Sequence, residues 1–177
     1  MTQSKGTILI TGANGGLGSD IVSRIVSTEL AAHHGLYTVR DKAAAPAMTR
    51  ALQEQRPSHP HTHDILSLDL TNLSNVREVA AIVNARVAAH EMPPIRTLIL
   101  NAGWQEFVTQ TWTEDGFDVA FAANYLGHWL LTLLLLQSMD RETGRIVVIG
   151  SLAHEYNPFL FSNLQFQAAP ILIAFFA

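Results

Sequence analysis

Apolar runs separated by amphipathic stretches organise the chain. Thr7 to Ile10 is a short β-rich run, and after a glycine-rich break Leu17, Ile21, Val22, Ile25 and Val26 recur at helical spacing. Leu36 to Val39 predicts a second strand, followed by a helical stretch to about Gln55 and a breaker-rich loop, RPSHPHTHD. A third strand is expected at Ile65 to Leu68. Asn75 with Glu78 offers a capping-box start for a helix whose apolar face carries Val76, Val79, Ala80, Val83 and Val87, and Pro93 with Pro94 ends it. Thr97 to Leu100 predicts a fourth strand, Phe117 to Met139 a long helical region, and Arg145 to Ile149 a fifth strand of nearly pure β-branched residues. Continuously apolar strands alternating with helices predict an α/β domain, a doubly wound parallel sheet with helices on both faces.

Composition narrows the function classes. At 177 residues, 48% hydrophobic and 15% charged, the chain suits one ordinary globular domain with a sizeable core. A net charge of −4 offers no basic field for a nucleic-acid backbone. The absence of cysteine excludes disulfides, thiolate metal sites and a cysteine nucleophile. Met1 to Gly6 is polar and lacks the apolar centre of a secretion signal. The most apolar stretch, YLGHWLLTLLLL from Tyr125 to Leu136, is short of the roughly 20 residues a spanning helix needs and contains His128, so it reads as a buried helix. A reducing, cytoplasmic setting is expected.

The first strand runs into TGANGGLG, with Gly12, Gly16 and Gly18 at fixed spacing and Gly15 in addition. A strand-to-helix turn aims main-chain N–H groups and the positive helix end at one place, and missing side chains let a phosphate approach. A nucleoside-triphosphate loop would continue with Lys and then Ser or Thr, whereas Ser19 and Asp20 follow here. The residue after the second strand meets the adenosine ribose in such domains. Arg40 there favours the 2′-phosphate of NADP, while Asp41 keeps NAD open.

These features resemble the short-chain dehydrogenase/reductase family, in particular its retinol-dehydrogenase-like branch. TGANGGLG is similar to the family's cofactor loop, and LDLTNLSNV to its adenine-contacting Asp-Leu, here Asp69 and Leu70. LILNAG resembles the Asn-Ala-Gly that supports the sheet and cofactor, at Asn101, Ala102 and Gly103. TEDGFDVAFAANYLGHWLLT is similar to the fourth helix, with its asparagine at Asn124, and GRIVVIGSLAH to the fifth strand, with the active-site serine at Ser151. The resemblance covers roughly residues 5 to 155. It implies a Rossmann-type fold and an NAD(P)-dependent oxidoreductase acting on a carbonyl or alcohol. Within the cofactor loop it implies contacts from Gly12, Asn14, Gly16, Leu17 and Gly18; Arg40, Asp69, Leu70 and Asn101 to Gly103 complete the expected NADP site, and no metal is implied.

The family's proton donor is a tyrosine whose pKa a lysine one helical turn later lowers, because a phenol titrating near 10 needs a neighbouring cation to act near neutrality. That Tyr-x-x-x-Lys is absent. After Ser151 the sole tyrosine is Tyr156, with Leu160 four positions on, and the two lysines are Lys5 and Lys42. Tyr156 is therefore the local candidate donor beside Ser151 and Asn124. The family's pattern continues with a catalytic helix, a sixth strand and substrate-binding helices, none of which is recognisable after the fifth strand. The expected division is a dinucleotide-binding domain, incomplete, over residues 1–155 and an atypical apolar tail over 156–177. PILIAFFA in that tail reads as a shifted frame or unspliced sequence, as a plug for exposed apolar surface, or as a strand pairing with the open fifth-strand edge.

Of the other residues, His59, His61 and His63 read as a solvated loop rather than a metal site, given Pro57 and Pro60. His128 reads as a satisfied helix residue, and Trp104, Trp112 and Trp129 as core or rim aromatics. Ser151 with His154 lacks the G-x-S-x-G elbow of a hydrolase. Three functions stay open: an oxidoreductase impaired by the missing motif, a dinucleotide-binding module or subunit without turnover, and a fragment without function. Expected partners are a small carbonyl or alcohol and a second copy or another protein at the C-terminal edge.

Overall fold

The computed structural model describes residues 4–54, 61–105 and 109–151. Five strands, β1 (Thr7–Ile10), β2 (His34–Val39), β3 (His63–Ser67), β4 (Ile95–Leu100) and β5 (Arg145–Val148), form one parallel sheet in the order β3-β2-β1-β4-β5. The order reverses between β1 and β4, which opens a crevice at their carboxyl ends. Helices α1 (Gly16–Val26), α2 (Pro46–Glu54), α3 (Leu73–Ala88), the short α4 (Val119–Phe121) and α5 (Gly127–Leu135) connect and cover the strands.

Alternation along β1 divides the core in two. Ile8 and Ile10 face Val22, Ile25 and Val26 of α1 and Met48 of α2, whereas Leu9 faces Val76, Val79 and Val83 of α3 and Leu131 and Leu135 of α5. Because β1 is buried on both faces, all four of its residues are apolar or satisfied. β5 differs. Its four residues are exposed, Val148 at 66%. The expectation of a sheet covered throughout therefore holds for the central strands and not for β5 among the described residues.

Three boundaries move. β2 and β3 start two residues earlier than expected because parallel pairing extends past their apolar residues, and β4 starts two residues earlier because the buried Ile95, ahead of Arg96, already pairs with Thr7. The cap of α3 is Asn72, whose side chain accepts from the Asn75 N–H at 2.9 Å; Asn75 Oδ1 instead accepts from the Asp69 N–H at 2.8 Å. The helix expected from Phe117 starts at Val119 and is irregular within. Asp118 caps α4, a π-helical turn spans Ala122–Leu126, and α5 follows. The whole stretch Val119–Ser138 is long and apolar enough by length and composition to cross a membrane, yet it seats His128, Leu131 and Leu135 in the domain.

Candidate cofactor site

A cleft of about 670 Å³ opens at the carboxyl ends of β1, β2 and β4. All the positions anticipated for cofactor contact line it: Gly12, Asn14, Gly16, Leu17, Gly18, Arg40, Asp69, Leu70, Asn101, Ala102 and Gly103. Thr11, Asp41, Thr71 and Trp104 line it as well.

The glycines serve different ends. Gly12 has φ +69°, and a Cβ there would lie 2.8 Å from the Ala102 Cα. A Cβ on Gly18 would collide with the Gly12 carbonyl, so this glycine lets α1 pack onto the loop. A Cβ on Gly16 would meet nothing within 4 Å. Gly16, Leu17 and Gly18 form the first turn of α1, whose N-cap, Gly15, provides no side-chain cap. Their N–H groups have no intrahelical acceptor and sit at the positive helix end. Uncapped first-turn donors beside open space at position 16 have the chemistry that suits a phosphate group.

Asn14 is tied elsewhere. Its Oδ1 accepts from the N–H groups of Ala47 and Met48 at 3.0 and 3.2 Å, and so caps α2. Asp69 Oδ1 accepts from the Thr71 N–H and hydroxyl at 2.9 and 2.7 Å, which shapes the loop after β3.

Thr11 is the junction of the site. Its Oγ1 accepts from the N–H groups of Asn101 and Ala102 at 2.9 and 3.0 Å, so its own hydrogen goes to His128 Nε2 at 2.8 Å. His128 Nδ1 then donates to the Asn124 carbonyl at 3.3 Å, a neutral tautomer throughout. Burial pushes the imidazole down to about 4, against the raising effect of that carbonyl. Asn101 Nδ2 donates to the carbonyls of Thr11 and Gly12 at 2.9 and 3.2 Å, while its buried Oδ1 has no protein partner. The Asn124 amide clamps the Trp104 main chain, accepting its N–H at 2.7 Å and donating to its carbonyl at 2.8 Å.

The short chain dehydrogenase profile matches residues 6–163. The chain belongs to the short-chain dehydrogenase family. A short-chain dehydrogenase, iccH, of Talaromyces variabilis is 51% identical over 156 residues, covering 87% of this chain and 43% of that protein. Retinol dehydrogenase 13 of Homo sapiens is 34% identical over 164 residues, 91% of this chain and 46% of that one. A metagenomic short-chain oxidoreductase solved in complex with NADP superposes with a TM-score of 0.66 at 24% identity, over 88% of this chain and 66% of its own. The chain spans about half the length of the curated relatives it matches.

Ser151 follows β5 and Gly150, and neither it nor Asn124 lines the cleft; Tyr156 and His59 lie outside the described residues. His61 is not the freely solvated residue the loop composition suggests. Its Nδ1 donates to the Ala31 carbonyl at 3.1 Å and its Nε2 accepts from the buried Tyr37 hydroxyl at 2.8 Å. Among the described residues no group of three or more metal-ligating side chains comes together. The Thr11 junction is not legible from local pattern, because its partners are 90 and 117 positions away.

Proposed function

We propose that this chain is the dinucleotide-binding part of an NAD(P)-dependent oxidoreductase that interconverts a carbonyl and an alcohol, with NADP preferred. The observation that carries this reading is the open cradle at Gly16, with uncapped first-turn N–H groups at the point where strand order reverses. Gly16, Leu17 and Gly18 hold the pyrophosphate, Asp69 and Leu70 the adenine, and Asn101 to Gly103 the floor between them. Arg40 takes the 2′-phosphate, which a guanidinium meets through two parallel N–H groups. Asp41 Oδ1 accepts from the Ala43 N–H at 2.8 Å, a turn contact that engages the acid otherwise suited to a free ribose hydroxyl. A bound nicotinamide supplies hydride transfer.

Ser151 orients the substrate oxygen, and Asn124 holds the loop beside it. Tyr156 is the candidate proton donor. Leu160 stands where the family pattern places lysine, and a tyrosine donor without such a cation forfeits part of the about 10² to 10⁴-fold that general acid–base catalysis supplies. That substitution favours a second reading, a dinucleotide-binding subunit that completes its site with further polypeptide. Residues 1–155 form the binding domain in either reading. We place the chain in the cytoplasm, since its most apolar helix seats His128 against β1.

Calorimetric titration of the purified chain with NADPH and NADH tests the proposal. Saturable heat is expected with both, tighter for NADPH; heat with neither overturns it. Turnover that survives Tyr156→Phe removes Tyr156 as the donor.

A further inference from the structure

Trp104 stands just beyond Asn101 to Gly103, and its ring centroid is 5.2 Å from the Arg40 Cζ. The two side chains reach towards each other from different strands. Arg40 follows β2 and Trp104 follows β4, with β1 between them in the sheet. Each main chain is pinned by a neighbouring element: the Ser67 hydroxyl donates to the Arg40 carbonyl at 2.7 Å, and Asn124 clamps Trp104 at both N–H and carbonyl. Trp104 is 40% exposed, so the indole borders the cleft instead of filling the core. Among the described residues no carboxylate lies within ion-pair distance of the Arg40 guanidinium.

Stacking occupies the face of a guanidinium and leaves its in-plane N–H fork free. An arginine loose on its stem loses rotamer freedom when it closes on a phosphate, and a ring that already holds it removes part of that loss. We propose that Trp104 is a positioning residue for Arg40: the indole holds the guanidinium over the adenosine end of the cleft, preoriented for the phosphate monoester that distinguishes NADP from NAD. This rests on reading the cleft as a dinucleotide site. Trp104 thereby sets cofactor preference without itself contacting the phosphate.

The test is calorimetric titration of the full chain, Trp104→Leu, Trp104→Phe, Arg40→Ala and the double variant Arg40→Ala/Trp104→Leu with NADPH and with NADH. Trp104→Leu is expected to raise the NADPH Kd about fivefold and to leave that of NADH within about twofold, the size of one cation–π contact at an exposed site. Trp104→Phe, which keeps a ring, restores most of the NADPH affinity. In the Arg40→Ala background the leucine substitution has no further effect on NADPH. Equal weakening of both cofactors, no weakening of either, or the same loss with Arg40 already removed overturns the positioning role and leaves the dinucleotide reading intact. A parent chain that binds neither cofactor overturns both.

Discussion

A Cβ on Gly16 enters open space while one on Gly18 strikes the Gly12 carbonyl, so two glycines two positions apart answer to different constraints. Gly16→Val is expected to fold with unchanged thermal stability, since helix geometry accepts valine at small cost. Its isopropyl group fills the space proposed for the pyrophosphate, and the NADPH Kd rises by more than about tenfold, as calorimetry reads it. Gly18→Ala behaves oppositely: the methyl forces α1 off the loop and lowers stability by about 1–3 kcal/mol in urea unfolding. Wild-type affinity in Gly16→Val would remove the pyrophosphate from this place. The spacing of Gly12, Gly16 and Gly18 announces a phosphate turn, yet it does not say which glycine serves packing and which serves the ligand. That division follows from how the turn folds back on itself, which brings the Gly12 carbonyl against Gly18, and from Asn101 and Ala102, which approach Gly18 and Gly12 from the end of β4. Capping signals carry the same ambiguity. Asn72 and Asn75 both suit a helix start, and the choice falls to Asn72 because Asn75 Oδ1 is taken by the Asp69 N–H.

At the scale of elements, Thr11 joins β1 to the end of β4 and to α5, and the hydrogen bonds from the Asn101 N–H through the Thr11 hydroxyl and His128 to the Asn124 carbonyl run in one consistent direction. The alternation of strands and helices was legible because apolar periodicity is local. His128 as a satisfied helix residue was legible too, from its apolar flanks. Its partner was not, and neither was the π-helical turn that separates α4 from α5, since both follow from packing against distant residues. A Cβ on Gly127, for instance, would collide with the Leu70 carbonyl, so the helix passes close over the loop after β3. The buried imidazole gives a pH dependence of definite sign. Folded His128 titrates at about 4 because burial disfavours its charge, whereas the unfolded side chain has the ordinary value of 6.5. As pH falls through 6.5 the unfolded chain takes up a proton that the folded one does not, so stability is whole above that value and is lost on the way down to about 4. His33, His34 and His61 are also held low chiefly by burial and act in the same direction. Urea unfolding at pH 7 and pH 5 should differ by about 2 kcal/mol from His128 alone. His128→Gln should show a correspondingly shallower loss; an equal loss in both proteins would assign the acid sensitivity elsewhere.

Over the whole molecule, the sheet order brings together residues from Thr11 to Trp104 that share a wall only when the chain is folded. The unfolded chain holds no such cleft, so a ligand of the cleft stabilises the fold by mass action. This matters in a chain that spans about half the length of its curated relatives and leaves β5 exposed. The exposed residues Ile146, Val147 and Val148 on one strand, and Tyr125, Trp129, Leu133 and Leu136 along the helix from Val119, remain without the burial that stabilises β1. Stability in such a molecule rests on the two layers around β1, β2 and β4, whose carboxyl ends also build the cleft. Ligand binding and unfolding therefore act on the same strands. NADPH at about a hundred times its Kd should add about 2.7 kcal/mol and raise the melting temperature by roughly 5–10 °C. NADH at the same concentration should shift it less, and Gly16→Val, its NADPH Kd raised more than about tenfold, should keep at most about half of the NADPH shift while melting at the parent temperature without ligand. A melting point indifferent to either cofactor would mean that the cleft, though shaped by the fold, holds no dinucleotide.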